Sequence, residues 1–104
     1  MNYQLLGSSG LRVSDICLGT MTFGEDWGWG ASLDASREMF DAYAAAGGNF
    51  IDTSSNYTNG TAERYVGEFV AADRDYWVIA TKYTLRRPGS NPDDLNAGGN
   101  ARTL

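Results

Sequence analysis

Asp52, Tyr57 and Lys82 are the residues of this sequence whose chemistry could combine in a proton transfer. Asp52 closes the apolar run Phe50-Ile51, Tyr57 follows five residues later beyond Thr53-Ser54-Ser55-Asn56, and Lys82 stands at the end of the next apolar run, Trp77-Val78-Ile79-Ala80. A carboxylate beside a lysine holds the amine cationic, and a cation beside a phenol favours the phenolate, so the phenol can release a proton near neutrality. Taken singly, each residue has an ordinary reading as well: Asp52 as a turn former, Tyr57 as a half-buried packing residue, Lys82 as a snorkelling strand end.

Those three residues depend on the elements that carry them. Tyr3–Leu6 and Leu11–Val13 flank Gly7-Ser8-Ser9-Gly10 and predict a β-hairpin. Asp15–Thr20 reads as a short buried strand containing Cys17, and the glycine-rich stretch 24–30 as a loop. Leu33, Phe40, Tyr43 and Ala44 recur at helical spacing, with Ser32 or Asp34 available as the cap and Gly47-Gly48 as the stop. Ala62, Tyr65, Val66, Phe69 and Val70 mark one face of a second helix, closed by Asp73-Arg74-Asp75. Strand, helix, strand, helix, strand implies an α/β fold with parallel strands, whose carboxyl ends share one side and bring Asp52 and Lys82 within reach of each other. Residues 85–99 read as a loop and Asn100–Leu104 as a capped helix start.

Composition removes several function classes. The chain has 104 residues, a formal charge of −5 and 42% hydrophobic residues, which suits one globular unit and gives no basic face for nucleic acid; Arg86-Arg87 alone comes close. No apolar run is long enough to cross a bilayer and the first residues lack a secretory signal, so a cytoplasmic protein is expected. Cys17 is the single cysteine and is expected to be a core thiol. Neither a G-x-G-x-x-G turn nor a G-x-x-x-x-G-K phosphate loop occurs. Trp27 and Trp29, between glycines, suit either a pocket wall or an aromatic loop packed on its own fold.

Taken together, Gly19-Thr20-Met21-Thr22-Phe23-Gly24, Asn49-Phe50-Ile51-Asp52-Thr53-Ser54, Tyr57, Glu63 with Val66-Gly67, Ile79-Ala80-Thr81-Lys82 and Gly98-Gly99-Asn100 resemble the aldo-keto reductase family along the whole chain. The resemblance implies a (β/α)8 TIM barrel, of which residues 1–104 would supply the N-terminal β-hairpin and the first three βα units. It implies NADPH bound at the carboxyl mouth of the barrel, hydride transfer to an aldehyde or ketone, and no metal. It makes Tyr57 the proton donor, Lys82 the cation that tunes it, Asp52 the carboxylate that orients Lys82, and Thr20, Met21 and Asp52 contacts of the cofactor.

The family's catalytic histidine, at the end of the fourth strand, has no counterpart here, since the sequence contains no histidine. Three strands of a barrel leave two sheet edges unpaired, so the isolated chain is expected to be inactive. A regulatory protein of the same fold, like the potassium-channel β-subunits, and a small α/β module that pairs its edges between copies are the competing readings. Oligomeric state and the physiological carbonyl are left open by the sequence.

Overall fold

The computed structural model describes residues 1–82. The expected loop over residues 85–99, the helix start at Asn100–Leu104 and the Arg86-Arg87 pair lie outside the described residues.

The chain opens with an antiparallel hairpin, β1 (Tyr3–Leu5) and β2 (Arg12–Ser14), in which Tyr3 pairs with Ser14 and Leu5 with Arg12. Three parallel strands follow in the spatial order β3 (Leu18–Gly19), β4 (Phe50–Asp52), β5 (Val78–Ala80). Helices α1 (Leu33–Ala45) and α2 (Thr61–Val70) form the two crossovers. The α/β arrangement expected from the sequence is present, as an open three-stranded sheet with no closed barrel among the described residues.

Strand alternation decides which side chains reach the helices. Leu18 stands opposite Ile51, and Ile51 opposite Ile79; Ile51 is fully buried, with Leu18 and Ile79 packed around it. Burying one such side chain contributes about 1.5–3 kcal/mol. On the helical side, Phe40 from α1 meets Phe69 from α2 at 5.3 Å between ring centroids and Trp77 at 4.8 Å, while Phe23 meets Phe69 edge-on at 6.3 Å. The guanidinium of Arg37 covers the outer side of this cluster, 5.1 Å from the Phe69 ring centre.

Helix α1 starts where Ser32 accepts a hydrogen bond from the Ala35 amide at 3.2 Å, so Ser32, not Asp34, is the cap. It stops at Ala46, after which Gly47 takes a left-handed conformation at φ +91°. Tyr43 then ties the helix to what surrounds it. Its hydroxyl lies 2.7 Å from the Ile16 carbonyl oxygen, 2.8 Å from that of Phe50, 2.8 Å from Ser14 Oγ and 3.1 Å from the Phe50 amide, which donates to it. Hairpin, first helix and central strand are joined at that one oxygen. Gly48 is required beside it, because a Cβ there would fall 2.1 Å from the Tyr43 ring.

Three expectations are corrected. Leu33 belongs to the helix but is exposed, and the buried face of α1 is formed by Ser36 and Phe40. Strand β3 is limited to Leu18–Gly19, and Ile16 is 61% exposed. Cys17 is exposed rather than a core thiol. By alternation it falls on the face opposite Leu18, the face the two helices do not cover, whereas an apolar run in the sequence does not say which face will be covered.

Candidate active site

Because β3, β4 and β5 are parallel, their carboxyl ends open on one side, and each is followed by residues singled out from the sequence: Thr20-Met21, Asp52 to Tyr57, and Thr81-Lys82. The strand ends are locked in register beyond the last ladder pair. Thr20 donates from its amide to the Asp52 carbonyl at 3.1 Å, and Thr53 donates to the Ala80 carbonyl at 2.8 Å. The Thr20 hydroxyl also donates to the Asp52 carbonyl, at 3.0 Å.

Lys82 sits at the centre of this end of the sheet. Its Nζ donates to both carboxylate oxygens of Asp52, at 3.0 and 3.1 Å, and to the Thr53 carbonyl at 2.8 Å. The same nitrogen lies over the Tyr57 ring, 4.8 Å from its centre. The ammonium is thus held by a carboxylate and a carbonyl on one side and faces an aromatic π-surface on the other. Asp52, Tyr57 and Lys82 are brought together. The Thr53 carbonyl is a partner the sequence did not announce, because a backbone acceptor leaves no trace in residue type.

Burial alone would pull the Lys82 ammonium down, but the hydrogen-bonding influence and charge of Asp52 and Tyr57 outweigh it and hold the amine above its ordinary value of 10.5. A folded-state value raised above the unfolded one means that the ion pair contributes its full stability below the ordinary lysine value and loses it as pH rises through the raised folded value. The difference in unfolding free energy between the wild-type protein and Lys82→Met should therefore stay level from neutral pH to about 10.5 and shrink above it. Urea melts across that range check it; a difference that already fades at mildly alkaline pH would contradict the assignment. Both side chains are about two-fifths exposed, so solvent screens the pair and keeps its contribution small.

Tyr57 opens a 3-10 turn, Tyr57–Gly60, that leads directly into α2. Inside it Thr58 and Asn59 adopt left-handed backbone conformations, at φ 47° and φ 59°, followed by Gly60 at φ 99°. Gly60 caps α2 without a side chain, and the Ala62 amide donates instead to Thr58 Oγ1 at 3.1 Å. Glu63, in the first turn of α2, accepts a 2.7 Å hydrogen bond from the Thr81 hydroxyl, so the helix after Tyr57 is tied to the residue before Lys82.

The other singled-out residues are distributed as follows. Thr20 is fully buried, with its hydroxyl on the Asp52 carbonyl, whereas Met21 beside it is 49% exposed. Trp27 and Trp29 meet at 5.6 Å between ring centroids, tilted at 46° to each other, and are both exposed. Cys17 shares the open face with Asp52 and Lys82, and its thiol is pushed up, first by desolvation and then by the Asp52 charge, which leaves it a neutral thiol at physiological pH. No group of three or more His, Cys, Asp or Glu residues placed to hold a metal ion occurs among the described residues.

The chain is similar to known proteins in sequence and in fold. The sequence profile of the Aldo/keto reductase family matches residues 15–103. The chain belongs to the aldo/keto reductase family. Among its relatives, norsolorinic acid reductase A of Aspergillus parasiticus is 41% identical over 105 residues, covering 93% of this chain and 27% of that protein. Aryl-alcohol dehydrogenase [NADP(+)] of Phanerodontia chrysosporium is 46% identical over 88 residues, covering 79% of this chain and 23% of that protein. In three dimensions the chain is similar to an aldo-keto reductase from Bacillus halodurans solved in its holo form, with a TM-score of 0.75 and 28% identity over 88% of this chain and 29% of the other. This aldo-keto reductase chain spans about a quarter of the length of the curated relatives it matches. Its open sheet therefore corresponds to part of the fold of those reductases, and its relatives are oxidoreductases.

Proposed function

We propose that residues 1–104 are the N-terminal part of the barrel domain of an NADPH-dependent carbonyl reductase, and that they carry its proton-transfer groups. The observation that supports this best is the position of Lys82 Nζ, 3.0 Å from the Asp52 carboxylate and 4.8 Å from the centre of the Tyr57 ring. In this reading the Tyr57 hydroxyl donates its proton to the carbonyl oxygen as the substrate is reduced, and the phenolate left behind is stabilised by the Lys82 ammonium. Asp52 keeps that ammonium charged and aimed, with the Thr53 carbonyl as its second support.

The residues present fit the nicotinamide end of a dinucleotide. Met21 offers an exposed apolar side chain directly after Thr20, and Thr20 is held to the end of β4 by its hydrogen bond to the Asp52 carbonyl. Bound there, NADPH would supply the hydride. The names of the relatives, a norsolorinic acid reductase and an aryl-alcohol dehydrogenase [NADP(+)], favour an aromatic carbonyl and NADPH over NADH. The exposed indoles of Trp27 and Trp29, tilted against each other, each offer a ring face to an aromatic substrate.

The full-length protein, supplied with NADPH and an aromatic aldehyde such as veratraldehyde, is expected to consume cofactor and form the alcohol in equal amounts. NADPH consumption with no alcohol formed, or no consumption across a panel of aromatic and aliphatic aldehydes and ketones, would overturn the reading.

A further inference from the structure

Thr58 is β-branched, fully buried and left-handed, at φ 47° and ψ 43°. Among residues that carry a Cβ, a β-branched one is poorly suited to this region, because its branches crowd the backbone. Glycine would hold the same turn at no steric cost, so the conformation alone does not account for a threonine. The hydroxyl does. Thr58 Oγ1 donates to the Phe23 carbonyl at 2.6 Å and accepts from the Ala62 amide at 3.1 Å. Phe23 is itself buried in the core and follows directly on Thr20-Met21-Thr22. A single oxygen thus joins the segment after β3 to the start of α2, across 35 residues of sequence.

The fit is close on the opposing side as well. At Gly24, at φ +106°, an added Cβ would fall 2.7 Å from Thr58 Oγ1 and 3.0 Å from Thr58 Cβ, so the threonine side chain fills the space this glycine leaves. The residue immediately before the clasp is Tyr57, and it is Tyr57 whose ring must stay over Lys82.

We infer that Thr58 is a positioning residue for proton donation: its buried hydroxyl, clasped between Phe23 and Ala62, fixes the turn that Tyr57 opens and so holds the phenol against Lys82. The inference rests on the reading of Tyr57 as proton donor. In a conformation that disfavours it, the threonine supplies a bond that glycine cannot, and strain of this kind gathers where a neighbouring group has to be aimed.

The test uses the full-length protein and four variants: Thr58→Gly, Thr58→Ser, Tyr57→Phe and the double variant Tyr57→Phe/Thr58→Gly. Turnover is expressed per folded molecule, from circular dichroism and urea melts. Displacing a reacting group by about an ångström costs about a hundredfold, so kcat of Thr58→Gly is expected to fall by about that factor while KM for the carbonyl and the Kd for NADPH stay put. Thr58→Ser, which keeps the oxygen, should recover most of the rate. In the Tyr57→Phe background, Thr58→Gly should cost nothing further, because the group it aims is gone. If Thr58→Gly is too unstable to assay, Thr58→Ala, which also lacks the hydroxyl, is read in its place.

Wild-type kcat in Thr58→Gly, or a penalty that persists undiminished without the Tyr57 hydroxyl, would overturn the inference and leave Thr58 a packing residue. If Tyr57→Phe itself turns over normally, the reading beneath the inference falls, and the inference with it. The Tyr57→Phe arm therefore separates the two failures.

Discussion

Replacing Tyr57 by phenylalanine in the full-length protein is expected to lower turnover by about 10²–10⁴-fold and to leave cofactor binding unchanged. The substitution is narrow because phenylalanine keeps the ring over which Lys82 Nζ sits at 4.8 Å, so the cation–π contact and the packing of the turn survive. Only the oxygen that carries the proton is lost. Stopped-flow reduction of an aromatic aldehyde, together with NADPH titration by fluorescence, separates the two quantities. A variant that turns over like the wild type removes Tyr57 from the chemistry, and one that loses cofactor affinity in step with turnover makes it a binding residue.

Replacing Lys82 by methionine is the second large change, expected to cost about 10²–10³-fold in kcat, the magnitude seen when one preorganised electrostatic group is removed from a site. Methionine roughly preserves the stem of the lysine and deletes the charge. The Asp52 carboxylate then loses the cation that pairs with it, and in the proposed proton transfer the phenolate would lose that charge. Lys82→Arg is not expected to rescue the rate. The ammonium is a compact charge with three donors that meet two carboxylate oxygens and the Thr53 carbonyl, and a planar guanidinium on a longer stem cannot occupy that position over the Tyr57 ring. A pH profile of kcat for each variant checks the account; Lys82→Met with a wild-type rate and profile would contradict it.

Where residue type and spacing determine the outcome, the sequence already told the fold. Phe50–Asp52 is a strand with the expected limits, and α1 runs from Leu33 nearly to the Gly47 stop, because caps, helical spacing and glycine stops are local signals. The convergence of Asp52 and Lys82 followed from a topological rule, that parallel strands end on the same side. The exposure of Cys17 and Ile16 did not follow, since an apolar run carries no label for the face that helices will cover.

At the site, the side chains were legible and their supports were not. Tyr43 gathers partners from Ser14 and Ile16 at the end of the hairpin and from Phe50 in the central strand, segments that meet the helix only after folding. Thr58 was hidden for another reason. The dipeptide Asn59-Gly60 announces a turn, but left-handed backbone at a threonine runs against its local preference and is carried by hydrogen bonds to Phe23 and Ala62. Local preference and tertiary demand disagree there, and such disagreements concentrate beside groups that must be aimed.

The most direct measurement is a crystal structure of the full-length protein with NADP+ and an unreactive carboxylate analogue of an aromatic aldehyde. The Tyr57 hydroxyl is expected within about 2.6–3.2 Å of the analogue's oxygen, the reach of a proton donor, with Lys82 still bridging Asp52 and the phenol. An analogue oxygen held by other groups, with the Tyr57 hydroxyl turned away from it, would contradict the account.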